Sequence, residues 1–64
     1  MTTDNIKAVI QKWHVKRKAW PSKTELNQAL SAEGFTVDSA ELDDLLATLR
    51  AANELQVING TLVI

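Results

Sequence analysis

The fold is decided by Leu55-Gln56-Val57-Ile58-Asn59-Gly60-Thr61-Leu62-Val63-Ile64, in which two short β-prone runs flank Asn59-Gly60. A type I′ turn requires positive φ at both central residues, and Asn-Gly is a dipeptide well suited to it. A two-residue turn also fixes the register, so Val57 should lie opposite Leu62. We therefore predict an antiparallel hairpin that pairs residues 55–58 with residues 61–64.

This register sorts the hairpin side chains onto two faces. One face is entirely apolar and consists of Leu55, Val57, Leu62 and Ile64. Because a lone hairpin is only marginally stable in water, that face should pack against the rest of the chain. The opposite face includes Ile58 and Val63, which would pack beneath Trp20 if residues 19–21 joined the sheet as a short third strand.

Residues 4–18 are predicted to form the first helix. Apolar residues recur at the spacing of one helical face, at Ile6, Val9, Ile10 and Trp13. Thr3 can cap this helix, and Asp4 suits the positive end of the helix dipole. We accordingly expect Trp13 in the core, whereas Pro21 should keep Trp20 extended and packed against the hairpin.

Residues 23–33 are predicted to form the second helix. Ser22 and Glu25 have the spacing of a capping box, and Gly34 can end the helix in a left-handed conformation. Its buried face should consist of Leu26, Ala29 and Leu30.

Residues 39–52 are predicted to form the third helix, capped by Asp38 and ended by Asn53. Its buried stripe should consist of Leu42, Leu45, Leu46 and Leu49. Three helices followed by a hairpin make a mainly α fold with a winged-helix arrangement, which we expect to occupy residues 1–64 as one domain.

The composition argues against several classes of function. A chain of 64 residues buries only about 60% of its unfolded surface, which leaves little room for an enzyme cleft. Cysteine is absent and His14 is the single histidine, so no thiolate nucleophile and no metal-ligand cluster is expected. Asp43 and Asp44 are adjacent and would point apart on a helix, so they cannot act as a paired acid and base. We predict no catalytic residue, metal, cofactor or small-molecule substrate.

The sequence also gives no sign of a membrane partner. No apolar run approaches the ~18 residues of a membrane span, and the first residues lack the apolar core of a signal peptide. We therefore expect a cytoplasmic protein.

The net charge of −1 is divided unevenly along the chain. Residues 1–23 carry +5 and residues 24–64 carry −6. Such asymmetry is typical of a polar interaction surface. The alternative is that the two halves attract each other within a solvated fold.

The run Pro21-Ser22-Lys23-Thr24-Glu25-Leu26 resembles the start of the second helix in a known family. It is similar to the N-terminal winged helix-turn-helix domains of the SOS repressor LexA and related bacterial regulators. Further matching positions are Leu30, Gly34, Phe35, Leu46, Leu49 and Leu55. The resemblance implies DNA binding with the third helix in the major groove.

Basic residues near the end of the first helix are the candidate nucleic-acid surface. They could contact phosphates together with the start of the second helix, whose backbone N–H groups favour anions. The predicted contact residues are Lys12, Lys16, Arg17, Lys18, Ser22, Lys23 and Ser39. We expect duplex DNA as the partner, bound by a monomer or by a homodimer, although the same lysines could merely keep a helix solvated.

The third helix is poorly suited to reading bases, because its solvent face is acidic and would be repelled by phosphates. The alternative function is therefore protein docking through this helix, with a basic protein surface as partner. The predicted docking residues are Ala40, Glu41, Asp43, Asp44, Ala47 and Ala51.

Overall fold

The computed structural model describes all 64 residues and contains three helices followed by a two-stranded antiparallel sheet. The helices are α1 (Thr3–Arg17), α2 (Lys23–Ala32) and α3 (Ser39–Ala51). The strands are β1 (Gln56–Ile58) and β2 (Thr61–Val63). This arrangement confirms the mainly helical, winged-helix-like fold.

Local capping fixes the helix boundaries. Ser22 caps α2 in a complete capping box with Glu25, and Asp38 caps α3 by accepting the Glu41 N–H at 2.7 Å. The predicted cap of α1 is wrong by one residue: Thr2 is the N-cap, with Asn5 completing its capping box. An Asn at this third helical position provides the side-chain acceptor for the Thr2 N–H.

Left-handed residues end the helices and form the hairpin turn. Lys18, the C-cap of α1, has φ 54°, and Asn53, just after α3, has φ 58°. Asn59 and Gly60 also have positive φ, at 52° and 79°, as a type I′ turn requires. The predicted register is confirmed, with Val57 opposite Leu62.

The core is a single cluster of ten buried aliphatic side chains with no buried polar or charged residue. Its members are Ile6, Val9, Ile10, Leu26, Leu30, Leu42, Leu46, Leu49, Leu55 and Leu62. Helix α1 packs against both α2 and α3. Leu55 and Leu62 anchor the hairpin to this core, as the apolar face predicted.

Two hydrophobic predictions are corrected. Val57 belongs to the apolar face but is 45% exposed, whereas its cross-strand partner Leu62 is 3% exposed. The difference arises because β1 has no neighbour on its outer side, while β2 is bridged to the start of α2. Trp13 is only partly buried and lies outside the core cluster. The α2 residues that line the same groove, Ala29 and Ala32, are too small to cover an indole ring.

The segment before α2 does not form the third strand suggested for residues 19–21. It makes one isolated bridge instead, one residue later, between Ser22 and Thr61. The Leu62 N–H donates to the Pro21 carbonyl at 2.8 Å beside it. The hairpin is therefore tied to the start of α2, while β1 remains a free edge on which Ile58 is 48% exposed.

Candidate nucleic-acid interface

Three ion pairs join the basic part of the sequence to the acidic part. Lys7 Nζ lies 2.7 Å from Glu54 Oε1, and Lys12 Nζ lies 2.6 Å from Glu33 Oε1. Lys23 pairs with Asp43. Much of the charge asymmetry is therefore neutralised within the fold.

The ion pair with Glu54 changes the pKa of Lys7. A hydrogen bond from Lys7 to the Glu54 carboxylate, and the attraction between their charges, raise the pKa of Lys7 above its ordinary value of 10.5. The charge of Lys7 is therefore matched by a carboxylate of the same chain.

The unpaired cations are concentrated at one end of α1. Lys16, Arg17 and Lys18 are exposed, and none has a carboxylate within 4.0 Å. We call these three residues the basic end. The only other lysine or arginine without an ion pair is Arg50, in the last turn of α3. The basic end lies at the C-terminus of α1, where positive charge also suits the negative end of the helix dipole.

Arg17 is held over an aromatic ring. Its guanidinium carbon lies 4.2 Å from the centroid of the Trp13 ring, which is within the range of a cation–π contact. The two residues are four apart on a helix, a spacing that brings side chains together. Trp13 thus supports the exposed Arg17 side chain instead of filling the core.

A shallow groove runs between α1 and α2 beside the basic end. Its floor is formed by small and apolar residues, including Val9, Trp13, Ala29 and Ala32. Its rim carries Lys16 and Arg17, together with the ion pair between Lys12 and Glu33. We call this feature the α1–α2 groove.

The predicted contact residues near α2 are brought together, but their polar groups already have internal partners. Ser22 Oγ accepts the Glu25 N–H at 3.2 Å, and the Glu25 carboxylate accepts the Ser22 N–H at 3.0 Å. Lys23 donates to Ser39 Oγ at 3.0 Å while pairing with Asp43. This junction of α2 and α3 therefore presents less free positive charge than the sequence indicated.

The predicted docking residues all lie on the exposed surface of α3. These residues, here called the α3 face, are Ala40, Glu41, Asp43, Asp44, Ala47 and Ala51. Asp43 is neutralised by Lys23, whereas Glu41 and Asp44 have no cation within 4.0 Å. The face therefore carries two free negative charges among small side chains.

A stacked pair that sequence reasoning missed ties α1 to the segment before α2. The rings of His14 and Trp20 are parallel within 5°, with centroids 3.8 Å apart. Trp20 is partly buried against the core cluster and stacks on α1, although the sequence predicts packing against the hairpin. His14 Nδ1 is buried without a hydrogen-bond partner. The chain reverses at Lys18 between the two rings, so helical spacing gives no signal for this contact.

Comparisons of the chain with protein-family models, curated proteins and solved structures found no match. The structure contains no group of three or more His, Cys, Asp or Glu side chains placed to hold a metal ion. None of its helices is both long enough and apolar enough to cross a membrane.

Proposed function

We propose that this protein binds nucleic acid, with duplex DNA as its main target, by phosphate contacts from the basic end. The observation that carries the proposal is the set of three adjacent, exposed cations without an internal carboxylate partner: Lys16, Arg17 and Lys18. Lysine and arginine that neutralise phosphates supply most of the affinity of sequence-independent binding. A cytoplasmic location, where such a target is available, is part of this proposal.

The binding mode differs from the one that the family resemblance implies. Glu41 and Asp44 are exposed and unpaired on α3, so phosphates beside a major groove would repel this helix. The α3 face contains no Arg, Asn or Gln side chain, the types that usually form two hydrogen bonds with one base. We therefore propose that α1 meets the DNA backbone and that base readout by α3 is absent.

A direct test is titration of a fluorescent random-sequence duplex at low salt, where phosphate contacts are strongest. We expect the combined change Lys16→Gln, Arg17→Gln and Lys18→Gln to abolish detectable binding. The matched control is Lys7→Gln, Lys12→Gln and Lys23→Gln, which removes the same number of positive charges but takes them from ion pairs. The control should retain most of the affinity.

Two outcomes would overturn the proposal. Equal weakening in both triple variants would assign binding to net charge instead of the basic end. Absence of any wild-type binding at low salt would remove DNA as the target. Circular dichroism of each variant should be measured first, to confirm that the fold is intact.

Protein docking through the α3 face is the second candidate function. It is favoured by Glu41 and Asp44, which are exposed and unpaired and share the α3 face with three alanines. A basic protein surface would complement these charges. Replacing both residues with their amides should then slow association with such a partner, because opposite charges steer encounter.

A further inference from the structure

We propose that the α1–α2 groove accepts the α3 face of a second copy of this chain, so that molecules associate head to tail. The inference starts from the open floor of the groove. Trp13 is only partly buried there, and the opposing α2 residues Ala29 and Ala32 leave it uncovered. The groove therefore combines a partly open apolar floor with charged residues at its rim.

The charge at the rim of the groove selects an acidic occupant. Lys16 and Arg17 line it without an ion pair, whereas Lys12 is already neutralised by Glu33. Arg17 also lies over the Trp13 ring, which restricts where its guanidinium can point. A segment with two closely spaced carboxylates would satisfy both free cations.

The α3 face of another copy meets this requirement. Glu41 and Asp44 are three residues apart on one helix, so both carboxylates lie on the same side, and neither has a cation within its own chain. The alanines of the face are small, and the distance between packed helices depends on the side chains at the contact. The helix can therefore approach the groove closely while its carboxylates reach Lys16 and Arg17.

The two surfaces belong to different helices, so the contact is heterologous. A molecule whose groove is occupied still presents a free α3 face. A molecule whose α3 face is bound still presents a free groove. Such interfaces form rings when the rotation closes and open chains when it does not. Since Lys16 and Arg17 also belong to the basic end, self-association and the proposed DNA contact should exclude each other.

The test uses DNA-free protein, so its result is independent of the proposed DNA binding. Sedimentation velocity at low salt should give a mean mass that rises with concentration and falls when salt is added, because exposed charge pairs are screened. We expect the groove variant Lys16→Gln, Arg17→Gln and the face variant Glu41→Gln, Asp44→Asn each to remain monomeric. An equimolar mixture of the two should form a one-to-one complex, because one intact surface of each kind is present.

A matched control is Gln11→Glu, Val15→Glu, which lowers the net charge as much as the groove variant does. Both positions are exposed on α1 and lie outside the groove. This control should self-associate as the wild type does. Loss of association in the control would assign the effect to net charge and overturn the proposal.

Three further results would also overturn it. The first is a wild type that is monomeric at every concentration. The second is a variant mixture that forms no complex. The third is association that persists in both variants but is lost in Val57→Lys, Ile58→Lys, since that would place the contact at the free β1 edge.

Discussion

At the scale of single residues, stability rests on aliphatic side chains and exposed ion pairs. All ten core members are aliphatic, and the buried His14 Nδ1, which has no hydrogen-bond partner, lies outside this core. The ion pairs lie at the surface, where each is worth little because water and salt screen it. Core truncation should therefore destabilise the fold far more than loss of an ion pair.

Leu46→Ala tests this expectation. Leu46 is 7% exposed, so truncation removes buried apolar contacts and leaves a cavity, at a cost of about 2–5 kcal/mol. A domain of this size has a total stability of similar magnitude, so the variant should be largely unfolded. Chemical denaturation would measure the loss, and an unchanged midpoint would mean that Leu46 contributes little. The control Ala47→Gly, at an exposed position next to it, should cost about 1 kcal/mol.

The Lys7–Glu54 pair makes a prediction about pH. Because the folded pKa of Lys7 lies above 10.5, the pair contributes fully below that pH. Its contribution is lost as the pH rises through the raised pKa, when Lys7 becomes neutral in the folded protein. A carbon NMR titration of the Lys7 side chain should give a midpoint above 10.5 in the wild type. The midpoint should move down in Glu54→Gln; equal midpoints in the two proteins would contradict the ion pair.

At the scale of elements, α3 combines a buried leucine stripe with an acidic outer face. The stripe holds α3 in the core, while Asp43 reaches the start of α2 and neutralises Lys23. Lys23 and Ser39 are joined by a hydrogen bond at the same junction. The positive charge that the sequence assigned to this end of α2 is thus masked by α3.

Neutralising the two aspartates one at a time separates masking from simple repulsion. Asp43→Asn and Asp44→Asn change the net charge equally, but only Asp43→Asn releases Lys23 from its ion pair. We expect a modest gain in duplex DNA affinity for Asp43→Asn and little change for Asp44→Asn. Fluorescence anisotropy at low salt would measure both. A marked loss of affinity with the fold intact would mean that these carboxylates contact bases directly, for example by accepting from cytosine.

At the scale of the whole molecule, one end of α1 carries free positive charge and the face of α3 carries free negative charge. The near-zero net charge conceals this arrangement, since the ion pairs remove most of the remaining charges. A molecule with such an arrangement should show electrostatic binding that depends on few contacts and is sensitive to salt.

The salt dependence of DNA binding gives the number of those contacts. Three phosphate contacts from the basic end should give a slope of log affinity against log salt of about −2.7, at about −0.9 for each contact. Each single change among Lys16→Gln, Arg17→Gln and Lys18→Gln should reduce the slope by about one contact. Lys12→Gln should leave it unchanged, because Lys12 is paired with Glu33. A slope near zero in the wild type would exclude the phosphate mechanism.

The sequence by itself determined the elements and their order. Capping residues, helix-ending residues and Asn59-Gly60 act through neighbours within about four positions, so their effects can be predicted without the tertiary structure. The hairpin register and the caps of α2 and α3 were predicted correctly for this reason. The cap of α1 was misplaced by one residue because Thr2 and Thr3 are both competent to cap a helix.

Only the tertiary structure decided which charges are free and which aromatic rings are covered. Lys7 and Glu54 are 47 positions apart and Lys12 and Glu33 are 21 apart, so no local rule pairs them. Likewise, Trp13 is partly exposed because the α2 side chains beside it, Ala29 and Ala32, are small. Which α2 residues lie beside Trp13 depends on how the two helices pack. The basic end was present in the sequence, but its separation from the paired lysines followed from contacts between elements, since charges interact through space and not along the chain.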